Sequence, residues 1–330
     1  MPYINALRLI ATIMIVLIHT CSVGESNIPA NEEYAYGFLK HIGVFAVPVF
    51  AMMSGSFFLA PKRNLTWELL VNKYCRRIAL ALLVFALPMC MTESFITNTG
   101  IWSGLCDFFR GHSWVHMWYL YMLLCLYMLT PLLRSFIANS SKRSIEYTLL
   151  VLFTISILFP SLKTYGIRLE SWMVLGTPFI FYYILGYYLA HLETLRLKTW
   201  HCTTLCILYT MVIAALETQG LAFSQNILQY HDITRVFGAI SVFLLCKRTQ
   251  PNWGIASDLR CYCFPIYLVH TVFTNASYKF LGVFPSSIAS PWLSIPLFTI
   301  IIFLMSLALS YVLRKIRLLK ECKHPINYIF

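Results

Sequence analysis

The sequence predicts an all-α membrane protein, a polytopic bundle of about ten transmembrane helices forming one domain over residues 1–330. Three observations predict it. First, 59% of the 330 residues are hydrophobic, 16% are aromatic and only 12% are charged, about half the charged share of a soluble domain. Second, the apolar residues fall in runs close to the roughly 20 residues that span a bilayer. Third, the basic residues alternate from one set of connections to the next. The mean hydropathy of +0.70 agrees. Disorder is excluded, because it needs low hydrophobicity and high charge. A secreted disulfide scaffold does not fit, because the 11 cysteines sit mostly inside apolar runs. A net charge of +12 would suggest nucleic acid on a soluble chain. Here the placement of the charge points to a membrane instead, and no nucleic-acid partner is expected.

The stretches run in order as 6–24, 37–60, 78–97, 116–134, 146–162, 173–192, 202–218, 233–247, 261–279 and 292–313. The first has only Arg8 before its apolar core and no small-x-small cleavage site, so it reads as a retained helix rather than a signal peptide. The second carries Pro48 and the small pair Ser54-Gly55, which allows close helix approach. Pro88, Pro178, Pro265 and Pro296 fall inside the third, sixth, ninth and tenth, where a bilayer helix tolerates a kink. The third is ragged at its end and the eighth is short. The longest outer connections, 98–115 and 219–232, are too short for a soluble domain, and no repeat or low-complexity tract interrupts the pattern.

With the N-terminus inside, the inner segments carry 19 of the Lys and Arg residues. These include Arg8, Lys73, Arg76, Arg77, Arg134, Arg196, Arg260, Arg314, Arg317, Lys320 and Lys323. The outer segments carry 6: Lys40, Arg110, Lys163, Arg168, Arg235 and Lys279. The positive-inside rule then places both termini in the cytoplasm. The cysteine pairs Cys202/Cys206 and Cys261/Cys263 lack partners at metal-site spacing, so no metal is expected.

Polar residues inside the membrane are costly and mark function. Asn5, Arg8, Thr12 and His19 are spaced 3, 4 and 7 apart, which keeps them on one helix face. Arg8 and His19 are three turns apart, roughly 16 Å along the axis. A cation for an anionic cofactor at one end and a titratable imidazole at the other suit donor binding and general-base work. A snorkelling Arg and a structurally bonded His are the plain alternative. Lys73, Arg76 and Arg77 have the chemistry to clamp phosphates, or serve only to anchor topology. His116-Met117-Trp118-Tyr119-Leu120 reads as an interfacial aromatic belt, and His270 as a packed core residue.

Taken together these segments carry a resemblance. Asn5-Ala6-Leu7-Arg8-Leu9-Ile10-Ala11, then His19 with ten residues between Arg8 and His19, resembles the opening of the integral-membrane acyltransferase 3 family. Pro48-Val49-Phe50-Ala51-Met52-Met53-Ser54-Gly55, Lys73-x-x-Arg76-Arg77, His116 to Leu120, Tyr183-Ile184-Leu185-Gly186-Tyr187-Tyr188 and Ile266-Tyr267-Leu268-Val269-His270 come in that family's order, across nearly the whole chain. The chain is most similar to the compact bacterial surface-polysaccharide O-acetyltransferases, and the fused periplasmic domain of longer relatives is not expected.

The resemblance implies acyl transfer from cytoplasmic acyl-CoA, with acetyl-CoA as donor, to a hydroxyl of a cell-envelope glycan or lipid-linked saccharide, at the bacterial inner membrane. It implies that Arg8, Lys73, Arg76 and Arg77 hold the donor. His19 is then the catalytic base or acyl carrier, and Arg8 positions the donor for it. His116, Trp118, Tyr119 and His270 become candidates for contact with the acceptor. Lys73 stands where the family has the first Arg of an Arg-x-x-Arg motif, which keeps the charge and loses the planar fork. Asn5 stands where the family often has Asp. The rival is an exporter or flippase of a lipid-linked saccharide, which would be expected to show repeat symmetry; the sequence shows none. A sensing or anchoring module is a third reading, and it expects His19 to be dispensable.

Overall fold

The computed structural model describes residues 2–23, 28–29, 31–113, 116–164, 167, 177–192, 197–218 and 232–315. Among these residues every regular element is a helix. In chain order they are α1 (Pro2–Val23), α2 (Glu33–Gly43), α3 (Ala46–Phe58), α4 (Trp67–Ile96), α5 (Ile101–Arg110), α6 (Trp118–Asn139), α7 (Lys142–Leu162), α8 (Phe179–Leu192), α9 (Thr199–Thr218), α10 (Ile233–Thr249), α11 (Gly254–Leu259), α12 (Cys263–Asn275) and α13 (Pro291–Lys315). Among the described residues seven helices are long and apolar enough to cross a membrane: Tyr3–Ser22, Glu33–Phe58, Trp67–Ile96, Trp118–Asn139, Lys142–Leu162, Thr199–Thr218 and Pro291–Lys315. The other three stretches read from sequence are also helical but shorter. They correspond to α8, to α10 with 17 residues, and to α12 with 13 residues continued by a wide turn at Ala276–Phe280. Residues 173–176 of the sixth stretch, the connection 219–231, and Arg168, Arg196, Arg317, Lys320 and Lys323 lie outside the described residues.

Local chemistry sets several boundaries. Thr66, Ser141 and Asp232 cap the starts of α4, α7 and α10, each side-chain oxygen accepting from a backbone N–H two or three residues on. Gly111 ends α5 in the left-handed conformation at φ 76°. The end of α3 is closed from outside itself. Arg134 of α6 donates to the carbonyls of Phe58 at 2.7 Å, Ala60 at 2.9 Å and Arg63 at 2.8 Å, filling acceptors that a helix terminus leaves open.

The centre of the bundle is α2–α3, almost wholly buried, while α9 and α13 turn apolar side chains such as Met211, Ile300 and Leu304 outward. That exposed apolar surface suits lipid. At the centre α3 crosses α8 backbone to backbone. A Cβ built on Gly55 would lie 1.8 Å from the Tyr183 carbonyl oxygen, and one on Gly186 would lie 2.0 Å from that of Met52. The two glycine-bearing segments are therefore each other's partners, each leaving room for the facing main chain.

A polar knot ties α2 to α9 and α10. His41 Nδ1 pairs with the Glu217 carboxylate, and the fully buried Arg235 donates to the His41 carbonyl at 2.8 Å. The Tyr209 hydroxyl donates to the same carbonyl at 3.1 Å.

Candidate active site

Three helices frame the site. α12 runs parallel to α1. Near the start of α1, Asn5 Nδ2 lies 3.4 Å from Ser257 Oγ, and Arg8 shares a cavity wall with Cys263. Near its end, His19 meets His270, and the Tyr278 hydroxyl donates to the Thr20 carbonyl at 2.8 Å. α6 runs the other way, with His116 beside His19 and Tyr119 and Leu120 beside Arg8. On α12 the facing residues Cys263, Tyr267 and His270 are spaced 4 and 3 apart, one helix face.

At one end, Arg8 is 4% exposed. It lines an enclosed cavity with Phe50, Tyr119, Leu120, Cys263, Phe264 and Tyr267. The free volume is about 10 Å³, room for about one water molecule. Thr12 serves the helix itself, donating to the Arg8 carbonyl at 2.8 Å. Arg77 stacks on the cavity wall, its Cζ 4.9 Å from the centre of the Phe264 ring. Arg77 and Arg260 both lie within electrostatic reach of Arg8. Three cations thus gather at this end of the site, a fit for a polyanion.

At the other end, three imidazoles meet. Ring centres are 5.1 Å apart for His19 and His270, 5.1 Å for His116 and His270, and 5.8 Å for His19 and His116. His270 and His116 are buried, whereas His19 is partly exposed. His270 Nδ1 lies 2.8 Å from the Tyr267 carbonyl oxygen and 3.2 Å from that of Ile266. A carbonyl has no proton to give, so Nδ1 carries it and Nε2 keeps a lone pair. The Tyr267 hydroxyl donates to the His116 carbonyl, and Thr271 Oγ1 lies 3.4 Å from His116 Nε2. Tyr267 and Tyr119, 6.1 Å apart, fill the space between the cationic end and the imidazoles. The column is continuous from Arg8 through the two tyrosines to His19. Among the described residues no group of three His, Cys, Asp or Glu is placed to hold a metal ion.

Of the residues singled out by sequence, Arg8, Tyr119, His19, His116 and His270 therefore line this column, and Arg77 lies over Phe264 at its cationic end. Lys73 sits apart, half-buried, its Nζ 5.8 Å from the Tyr74 ring, and Arg76 is exposed. Leu70–Cys75 forms a wide π-helical segment, which resets the facing of the helix from Arg76 onward. Trp118 turns to α8, 5.6 Å from Phe179. Sequence reasoning gave Tyr267, Cys263 and Arg260 no role at the site. The 4-and-3 spacing of Cys263, Tyr267 and His270 was the available signal for the first two.

A family model described as an acyltransferase domain, the acyltransferase 3 type, matches residues 1–315. No curated protein and no solved structure matches the chain.

Proposed function

The chain belongs to the acyltransferase 3 family of membrane acyltransferases, and on that premise we propose that it moves an acetyl group from cytoplasmic acetyl-CoA to a hydroxyl of a cell-envelope glycan or lipid-linked saccharide. One observation carries the reading. A buried cation and a partly exposed imidazole share one face of α1 and are joined by the column of Tyr119 and Tyr267.

In this proposal the phosphates of the donor dock at Arg8 and Arg77, with Lys73 and Arg76 at the margin. The pantetheine arm extends along the column toward His19. The acceptor reaches His19 from the other end, beside His116 and His270. His19 takes the hydroxyl proton as the acceptor oxygen bonds to the acyl carbon. The C–S bond breaks, and the proton passes on to the leaving thiolate. A variant of the route has His19 carry the acyl group first. Labelled donor supplied without acceptor, then an acid quench, separates the two: only the second leaves label on the protein.

The reading places the protein in the bacterial inner membrane, as a single catalytic domain with both termini in the cytoplasm. A reporter fused after Phe330 should be active in the cytoplasm, and activity only in the periplasm overturns that orientation. The exporter reading gains nothing from the family assignment.

The direct test is release of free CoA thiol from acetyl-CoA by the purified protein in lipid. His19→Ala should lower the rate by about 10²–10⁴-fold, the usual worth of a positioned base, with normal abundance. Activity within tenfold of wild type removes His19 from the mechanism.

A further inference from the structure

We propose that His270 is a positioning residue for His19: its buried Nε2 accepts the imidazole N–H of His19, fixes that ring, and supports the positive charge His19 gains when it takes the acceptor's proton. The proposal rests on the functional reading of His19 above and goes beyond it, because there His270 was only a surface for the acceptor.

Four observations carry it. His270 is fully buried, so it meets no bulk water. Its Nδ1 is committed to the carbonyls of Tyr267 and Ile266, one turn back on its own helix, which sets both the tautomer and the ring orientation. Its Nε2 is left as a buried acceptor without a hydrogen-bond partner. A buried polar atom in that state is costly, and its persistence calls for an explanation. Finally, the His19 ring is 5.1 Å away, tilted by 52°. A modest ring rotation brings an N–H of His19 onto that lone pair, the kind of tightening expected when substrate arrives.

The alternative partner is His116, whose ring is equally close to His270. His116 also has a buried nitrogen without a hydrogen-bond partner, Nδ1, but its ring is fully enclosed. Its carbonyl takes the Tyr267 hydroxyl, and its Nε2 is already beside Thr271. His19 is the partly exposed ring of the three and so the one with access to an acceptor. The arrangement is an imidazole base backed by a second imidazole whose far nitrogen is anchored to main chain. No proton is consumed: His19 gains one from the hydroxyl and returns it to the thiolate, while His270 only holds the other N–H.

The test is a substitution series read as kcat and donor KM separately. His270→Gln places an amide oxygen close to the position of Nε2 and can still accept. His270→Asn reaches only as far as Nδ1, and His270→Leu cannot accept at all. The expected result is that Asn and Leu lower kcat at least about tenfold, a share of what a positioned base supplies. Donor KM stays near wild type, and Gln recovers a clear part of the rate. Equal loss in all three with rising KM means a packing role and overturns the proposal. Full activity in His270→Leu overturns it too. His19→Ala, run alongside, separates the two levels. If it retains activity, the reading of His19 itself fails. If it is inactive while His270→Leu is active, only the pairing fails.

Discussion

Replacing Arg77 by Ala is the sharpest test of where the donor binds. The motif spacing emphasises Lys73 and Arg76, but the geometry favours Arg77. Arg76 is exposed, whereas Arg77 is half-buried, 4.9 Å over Phe264, a residue that lines the cavity holding Arg8. One charge-assisted phosphate contact is worth about 1.5–3 kcal/mol. At about 1.4 kcal/mol per tenfold, Arg77→Ala should raise the donor KM by about 10- to 100-fold. The change in kcat should be small, because the lost contact is made equally in ground and transition states. Arg77→Lys should fall between, keeping the charge but not the flat fork that stacks on Phe264. The assay is initial-rate CoA release against acetyl-CoA concentration, on variants matched for elution as folded protein. If Arg76→Ala raises the donor KM more than Arg77→Ala does, the motif spacing marks the donor site and the cavity wall does not.

The backbone crossing of α3 and α8 makes a second, structural prediction. Gly186→Ala must push a Cβ that starts 2.0 Å from the Met52 carbonyl out to ordinary contact, so it should lower Tm in detergent and reduce yield, at a cost above the roughly 1–3 kcal/mol of ordinary overpacking. Gly254→Ala, where an added Cβ meets nothing within 4 Å, is the control. Equal Tm values for the two variants would refute the crossing.

The helices were legible because a bilayer demands long apolar runs, and such runs announce themselves locally. The shared face of Arg8 and His19 was legible for a similar reason, since 3- and 4-residue spacings are local geometry. The pairing of Gly55 with Gly186 was half-visible: both segments stood out, but nothing local says that they touch. That His19, His116 and His270 touch one another was invisible for the same reason. The three come from distant parts of the chain and meet only through packing of α1, the start of α6, and α12. Arg235 shows a different limit. By position it reads as an outer topological cation, yet it is wholly buried, bound to the His41 carbonyl. A snorkelling cation and a buried one leave the same mark in sequence.

The tight packing beside Arg8 bears on the proposed transfer. If, as proposed, the protein passes an acyl group from one face of the membrane to the other, it must not become a pore. An open shaft wide enough for a pantetheine arm, lined with tyrosine hydroxyls and imidazoles, would conduct protons and discharge the gradient across the bilayer. A cavity with room for about one water, walled by Phe50, Tyr119 and Tyr267, leaves no such shaft beside Arg8. On the proposed reading, an incoming pantetheine arm would part these rings and fill the gap it makes.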